Sequence, residues 1–367
     1  MSGRPIPTEV QEVRVVPLDI PLRAPFGISR GAQQTAANAL VRVQLADGTV
    51  GYGEAAPFPA YNGETQASAL EALSLAAEWV RGRDAAGWRG IGAELRSRSG
   101  GCGSGVCALE TALLDAVCRR EGVPLWRHFG GAGTELETDM TVTLGTSGEA
   151  RDAARHIRGR GIRMIKVKVG APGGAKEDLD RILAVAQEAP GAPLILDGNA
   201  GLGRAGASRL AAGLKAGGIT PALLEQWLPR DDIDGMRALR AETGWPQAAD
   251  ESVSSAADAR LLARAGAADV FNIKLMKAGI AEALEVVAVA RHAGIGLMIG
   301  GNVESMLAMT VSACLAAGLG GFAYADLDTP LFLAKNPFEG GYRLDGARIS
   351  VGHIGAGHGV VPAGLLL

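Results

Sequence analysis

The spacing of hydrophobic and polar positions changes character at about residue 138, and the change divides the chain. Before it, Leu40-Val41-Arg42-Val43-Gln44-Leu45 alternates apolar and polar, Asp47-Gly48 supplies a turn, and residues 49–53 return, which predicts a hairpin. Residues 64–81 carry apolar positions at helical spacing (Leu70, Leu73, Leu75, Ala76, Trp79), with Gly82 as the stop. Between hairpin and helix lies a turn-rich loop, 55–63, holding two aromatics, Phe58 and Tyr61. A glycine-rich run at 100–105 leads into a second helix over 106–121, closed by Gly122 and Pro124. The first third is therefore an α+β unit, and Gly130-Gly131-Ala132-Gly133 reads as its linker.

From 138 to 328 short apolar strands alternate with alanine-rich helices. Strands are predicted at 141–144, 164–169, 194–196, 222–224, 247–249, 270–273, 296–299 and 322–324. Eight strands at this regular interval, with helices between most pairs, point to a parallel barrel rather than an open sheet. Residues 305–325 carry no charge and are long enough to cross a bilayer. They are rich in small residues and flanked by Glu304 and Asp326, so a buried helix plus strand is expected. After Pro330 the pattern lapses into Gly/Pro-rich chain that is expected to fold back onto the first unit.

Composition narrows the class. The 367 residues are 47% hydrophobic and 20% charged, as in a globular protein with a large core. A net charge of −3 gives no electrostatic reason to expect nucleic acid or an anionic membrane as partner. Four cysteines form no CxxC pair, and residues 1–5 show no start of a signal peptide. A cytoplasmic protein with reduced thiols is expected.

Charged residues stand where the predicted strands end: Lys168, Asp197, Glu225, Asp250, Lys274, Glu304, then Asp326 and Asp328. In a parallel barrel those ends converge on one face. Lys166 and Lys168 point to the same side of one strand, and a cationic neighbour with partial desolvation lowers a lysine's pKa, as a general base requires. Asp197, Glu225 and Asp250 come from three adjacent strands and are hard oxygen donors suited to Mg²⁺; surface acids or a structural Ca²⁺ site are the alternatives. Lys168 and Lys274 flank this set, as two bases facing one carbon from opposite faces would. Glu251 is a partner behind Asp250 or a surface acid, and Asn199 orients a metal-bound water or shapes the turn.

Lys166-Val-Lys168, Asp197-Gly-Asn199, Glu225-Gln226, Asp250-Glu251-Ser252 and Asn272-Ile-Lys274 together resemble the enolase superfamily, muconate-lactonizing subgroup. Gly51-Tyr-Gly-Glu54 and Gly300-Gly301-Asn302-Val303-Glu304 extend the resemblance over nearly the whole chain. It implies an α/β fold: a modified TIM barrel, (β/α)7β, under an α+β capping domain. The expected division is a cap at 1–130 that sets specificity, a catalytic barrel at 131–332, and a tail at 333–367 that returns to the cap. One Mg²⁺ per subunit would bind the substrate carboxylate, and a homo-oligomer is expected.

Asp326-Leu-Asp328 resembles the pair with which the subgroup's dipeptide epimerases hold a substrate ammonium, and the run 138–143 resembles them too. The implied reaction is a two-base proton transfer at the α-carbon of a dipeptide such as L-Ala-D/L-Glu or a related one. Lys166, Thr141 and Glu304 would also contact substrate. The subgroup's other reactions (N-acylamino acid racemisation, o-succinylbenzoate synthesis, cycloisomerisation) are the alternatives. Arg30 in the first cap loop would meet an acidic second residue, whereas Glu64 would favour a cationic one; the low aromatic content argues against a large aromatic substrate. A different class, a nicotinamide-dependent dehydrogenase, is raised by Gly201-x-Gly203-x-x-Gly206, with Glu225 19 residues after the last glycine.

Overall fold

In the computed structural model, which describes residues 6–28 and 31–364, the predicted hairpin is the end of a longer meander. Strand β1 (Val10–Ile28) pairs antiparallel with β2 (Gly31–Leu45), and β2 with β3 (Val50–Ala55). A short helix α1 (Pro59–Asn62) follows, then α2 (Gln66–Val80), α3 (Trp88–Arg98), α4 (Gly103–Glu121) and α5 (Leu125–His128). Helix α2 begins two residues later than the apolar spacing implies, because Thr65 and Ser68 form a reciprocal capping box there. Helix α4 lies directly on β3. A Cβ at Gly53 would stand 2.0 Å from the Ala108 carbonyl oxygen and one at Gly51 2.2 Å from that of Ala112, so the Gly51-x-Gly53 spacing lets two backbones touch.

After β4 (Glu135–Glu137) the barrel runs β5 (Met140–Val142), α6 (Ser147–Gly159), β6 (Ile165–Lys168), α7 (Ala175–Glu188), β7 (Leu194–Asp197), α8 (Arg204–Ala216) and β8 (Leu223–Glu225). It continues α9 (Ile233–Thr243), β9 (Gln247–Ala249), α10 (Ala256–Ala265), β10 (Val270–Ile273), α11 (Ile280–Ala293), β11 (Gly296–Ile299), α12 (Met306–Leu319) and β12 (Phe322–Ala325). The eight strands are ordered as in the chain, every neighbouring pair is parallel, and the edge strands meet where Asp139 N–H donates to the Ala325 carbonyl at 2.8 Å. This is the (β/α)7β barrel with a separate antiparallel capping sheet. Residues 305–325 form the buried helix α12 and strand β12, and among the described residues no helix is long and apolar enough to cross a membrane.

Strand periodicity sets what the barrel encloses. Ile195, Leu223, Ala248, Val270 and Met298, with Met164 and Tyr324, form an apolar floor inside the sheet. Two residues further along each strand, on the same face, stand Lys166, Asp197, Glu225, Asp250, Asn272 and Asp326. Two further again come Lys168, Asn199, Lys274 and Asp328. The lumen is thus stratified, apolar below and charged above.

The tail adds β13 (Phe338–Gly340), β14 (Arg343–Asp345), β15 (Arg348–Ser350) and β16 (Val360–Pro362). Strand β15 pairs with β4, while buried His358 sits 3.1 Å from Asp115 of α4, tying the tail to the cap. Glu54 of β3 joins the cap to the barrel. Its carboxylate accepts Asn38 Nδ2 (2.7 Å), Ser305 N (3.0 Å), Ala308 N (3.2 Å) and the Ser305 hydroxyl, capping α12 from the other domain. Glu54→Ala would leave those buried donors unpaired, so we expect a loss of about 3 kcal/mol in urea unfolding; Glu54→Gln, which keeps one acceptor, should lose less.

Candidate active site

Polar side chains at or just beyond the ends of several barrel strands line one small cavity beneath the cap. Lys168, Asn199, Lys274, Asn302, Asp326 and Asp328 line it from the barrel, with Thr141 beside them; Phe26, Ile28, Phe58 and Tyr61 close it from above. Lys168 belongs to the second barrel strand and Lys274 follows the sixth, half-way round the eight-stranded order, so the two amines face each other across the lumen.

The carboxylates lie between them. Asp197 and Glu225 are register partners on β7 and β8, and Asp250 follows β9 next to them. All three are fully buried, and each is in contact with lysine. Lys168 Nζ lies 2.6 Å from Asp197 Oδ2 and 3.0 Å from Asn199 Oδ1. Lys274 Nζ lies 2.7 Å from Asp250 Oδ2. Lys166 Nζ bridges Asp326 Oδ2 (2.6 Å), Glu225 Oε2 (2.8 Å) and Asp197 Oδ2 (3.7 Å). Asn272 Nδ2 donates to Glu225 Oε1 at 2.7 Å. Lys166 and Lys168 do share a side, since both reach Asp197 Oδ2.

The electrostatics correct one expectation. Burial alone would lower the pKa of Lys166, but Asp326, Glu225, Asp197 and Asp139 outweigh it and hold the ammonium well above its ordinary range. Lys274 is likewise opposed by burial and held up by Asp250, Glu225 and Glu251. For Lys166 and Lys274, carboxylates outweigh both burial and any cationic neighbour. Burial, then Asp250 and Asp197, push the Glu251 carboxyl up to about 8, and burial, then Asp326, push Asp328 to about 7. Asp326 goes the other way: burial works against its ionisation, yet Lys166 and Lys168 hold it below the usual carboxylate range.

Two acidic groups could hold a cation. Asp139, Asp326 and Asp328 bring ligand oxygens within 4.8 Å of one another, but Lys166 already pairs with Asp326 and Thr141 N–H donates to Asp328 at 2.7 Å. In Asp197, Glu225 and Asp250, by contrast, Glu225 Oε2 and Asp250 Oδ2 take no hydrogen bond and meet only lysine ammonium groups. Three hard anionic oxygens on adjacent strands, with lysines filling the role of cation, fit a divalent ion of the Mg²⁺ class.

Other candidates fall differently. Asn199 Nδ2 reaches Glu251 Oε1 at 3.4 Å, so Glu251 is a buried partner of this loop rather than a surface acid. Glu304 does not line the cavity; it turns back to accept Asn302 N–H at 2.8 Å. Glu64 is not directed at substrate, because its two oxygens accept the N–H groups of Gly103 (2.8 Å) and Ser104 (3.0 Å) at the start of α4. Arg30 lies outside the described residues. The dinucleotide reading fails: the sheet is a barrel, Gly203 merely precedes α8, and a Cβ at Gly203 or Gly206 would meet no crowding, so neither serves a close approach. Sequence reasoning missed Lys277, and it gave Tyr61 and Asp139 no individual role although both fall in runs it singled out. Lys277 Nζ lies 2.9 Å from Asp250 Oδ1, and nothing in its local sequence separates it from an ordinary helix-start lysine.

A (β/α)7β barrel with a lysine on either wall, acids between and an α+β cap above defines the enolase class of fold. The chain belongs to the mandelate racemase/muconate lactonizing enzyme family: residues 10–130 match that family's N-terminal domain, and residues 148–364 match the enolase C-terminal domain-like family. It is 49% identical to the aromatic dipeptide epimerase of Herpetosiphon aurantiacus, over 97% of this chain and 99% of that protein. Among solved structures, a mandelate racemase/muconate lactonizing enzyme from Roseiflexus sp. superposes with a TM-score of 0.93 at 53% identity, covering 98% of this chain and 99% of that one. The dipeptide epimerase of Enterococcus faecalis V583, complexed with Mg and L-Leu-L-Tyr, gives a TM-score of 0.91 at 30% identity, covering 96% and 99%.

Burial pushes the Glu304 carboxyl from its ordinary 4.5 up to about 8. The folded state then holds this proton more tightly than the unfolded one, so stability is lost as pH rises from about 4.5 to 8. Glu304→Gln should gain a few kcal/mol over the wild type between pH 5 and pH 8 without added metal. Parallel Tm curves for the two proteins would contradict this.

Proposed function

We propose that this protein is an isomerase, a Mg²⁺-dependent dipeptide epimerase that inverts the α-carbon of the C-terminal residue. The observation that carries the reading is the opposition of Lys168 and Lys274 across a cavity that Asp326 and Asp328 also line, with Asp197 and Asp250 each within 2.7 Å of one of the two amines. Asp197, Glu225 and Asp250 would hold the ion, which when bound polarises the substrate carboxylate and offsets the negative charge developing as the α-proton leaves. Asp326 and Asp328 would take the free ammonium, two like charges that a cation between them relieves. One lysine, neutral, accepts the α-proton; the other, charged, delivers a proton to the opposite face. Lys274 leans on an oxygen of the ion-binding set, and giving up that oxygen removes an anion that keeps it protonated. Lys166, locked among three acids, stays a fixed cation near the reacting carboxylate. In this scheme 131–332 supply the chemistry and the cap supplies selectivity.

The substrate side chain follows from what the cap presents. Its described lining residues are Phe26, Ile28, Phe58 and Tyr61, with no charge among them. An apolar or aromatic side chain suits this roof better than glutamate, and overall scarcity of aromatics is no guide when three of them gather at the mouth. The name of the Herpetosiphon relative and the L-Leu-L-Tyr bound to the Enterococcus protein support the same choice.

A library of dipeptides incubated in D₂O with Mg²⁺ should show α-deuteration at the C-terminal residue, fastest for L-Ala-L-Phe-like members and at least tenfold slower for L-Ala-L-Glu. No deuteration in any dipeptide would overturn the reading. Lys168→Ala and Lys274→Ala should each abolish epimerisation while one epimer, a different one for each variant, still exchanges its α-proton. Full activity in both variants would refute the two-base scheme.

A further inference from the structure

Asp250 is held unlike the other two acids of its set. Its Oδ1 accepts the Tyr61 hydroxyl at 3.0 Å and forms an ion pair with Lys277 Nζ at 2.9 Å, while Oδ2 faces Lys274 alone at 2.7 Å. Lys277 is a fixture of the barrel: the same ammonium also donates to the carbonyls of Asp250 (2.7 Å), Asn272 (2.7 Å) and Val253 (3.1 Å). Tyr61 comes from elsewhere. It sits on α1 of the cap, 189 residues away in sequence, so its hydrogen bond exists only while the cap is seated on the barrel. The same ring lies 4.6 Å from Lys274 Nζ, near enough to give that ammonium a partner when it leaves Oδ2.

We propose that Tyr61 is a positioning residue that couples closure of the cap to cation binding, by fixing Asp250 through Oδ1 so that Oδ2 is presented to the ion. The inference rests on the reading of Asp250 as an ion ligand. A carboxylate free to rotate would spread its lone pairs over many directions; tied at one oxygen by a hydrogen bond and an ion pair, it offers the other in a single direction. The coupling runs both ways, because an ion that prefers the closed cap must also favour closure.

The test uses the whole protein without dipeptide, so it does not depend on epimerase activity. Mn²⁺ affinity is measured by electron paramagnetic resonance, and hydrogen exchange of residues 58–64 is followed with and without Mg²⁺. In the wild type, Mg²⁺ should slow exchange in that segment. Tyr61→Phe keeps the ring but loses the hydroxyl; it should weaken Mn²⁺ binding roughly tenfold and abolish the Mg²⁺-dependent protection. Its Tm in the absence of ion should stay within a few degrees of the wild type. Tyr61→Leu, which also removes the ring, should show both losses. Unchanged Mn²⁺ affinity in Tyr61→Phe, or persisting protection, overturns the inference while leaving the ion site intact. Wild-type Mn²⁺ affinity in Asp250→Asn would instead remove the ligand reading, and the inference with it.

Discussion

The site is governed by an excess of buried negative charge. Seven carboxyl groups (Asp139, Asp197, Glu225, Asp250, Glu251, Asp326, Asp328) stand around the barrel mouth against four lysines, Lys166, Lys168, Lys274 and Lys277. Burying unpaired charge is expensive, and a fold tolerates it only where protons or bound cations neutralise it. Protons account for part: burial, then Asp326, push Asp139 well up, and Glu251 and Asp328 are pushed to about 8 and about 7. With protons on those three, four carboxylates face four lysines, so a bound cation would have to displace protons or lysine ammonium groups from the acids. In the proposed function a divalent ion at the acids of β7 to β9 and a substrate ammonium at the acids that follow β12 would be those cations.

The layer beneath these acids is apolar, which raises the cost of leaving their charge unpaired and strengthens their attraction for a cation. The floor of Ile195, Leu223, Ala248, Val270 and Met298 isolates the charged layer from the opposite end of the barrel, so its fields are not screened from below. Above, the cap excludes water with Phe26, Ile28, Phe58 and Tyr61. Seating the cap is itself an electrostatic matter, since Glu54 reaches across to the N-terminus of α12 and Asn302 Nδ2 reaches back to the Ala56 carbonyl at 3.0 Å.

Much of this could be read in the chain. The parallel strands are mostly short apolar runs, and several end on a charged residue of the site; Leu194-Ile195-Leu196-Asp197 shows both features. The cap was less legible. Strand β1 runs 19 residues through Pro17 and Pro21 with weak alternation, and only its pairing with β2 makes it a strand. Helix α3 has few strongly apolar positions, so tertiary contact with α4 supplies what periodicity does not. Glu64 and Tyr61 sit in one short stretch, yet one caps α4 and the other reaches Asp250, a distinction set by chain direction after α1. No local pattern carries that information.

The loops after β7 and β8 explain why three mutually repelling acids stay together. Asn199, Ala200 and Gln226 all have positive φ (41°, 56° and 37°), a backbone state that costs a non-glycine residue of order 1–3 kcal/mol. The surroundings over-determine it: Gly198 N–H donates to the Glu225 carbonyl at 2.9 Å and Ala200 N–H to that of Gln226 at 2.7 Å. The Gln226 side chain then accepts the N–H groups of Asp250 (2.9 Å) and Ser252 (3.1 Å), binding the third loop to the second. Gly198 has to be glycine, because a Cβ there would stand 2.7 Å from the Trp227 Cα. Repulsion among Asp197, Glu225 and Asp250 is thus resisted by backbone bonds that do not depend on the ion. The site is built before its cation arrives, and the strain stored in these turns is offset by the hydrogen bonds that join them.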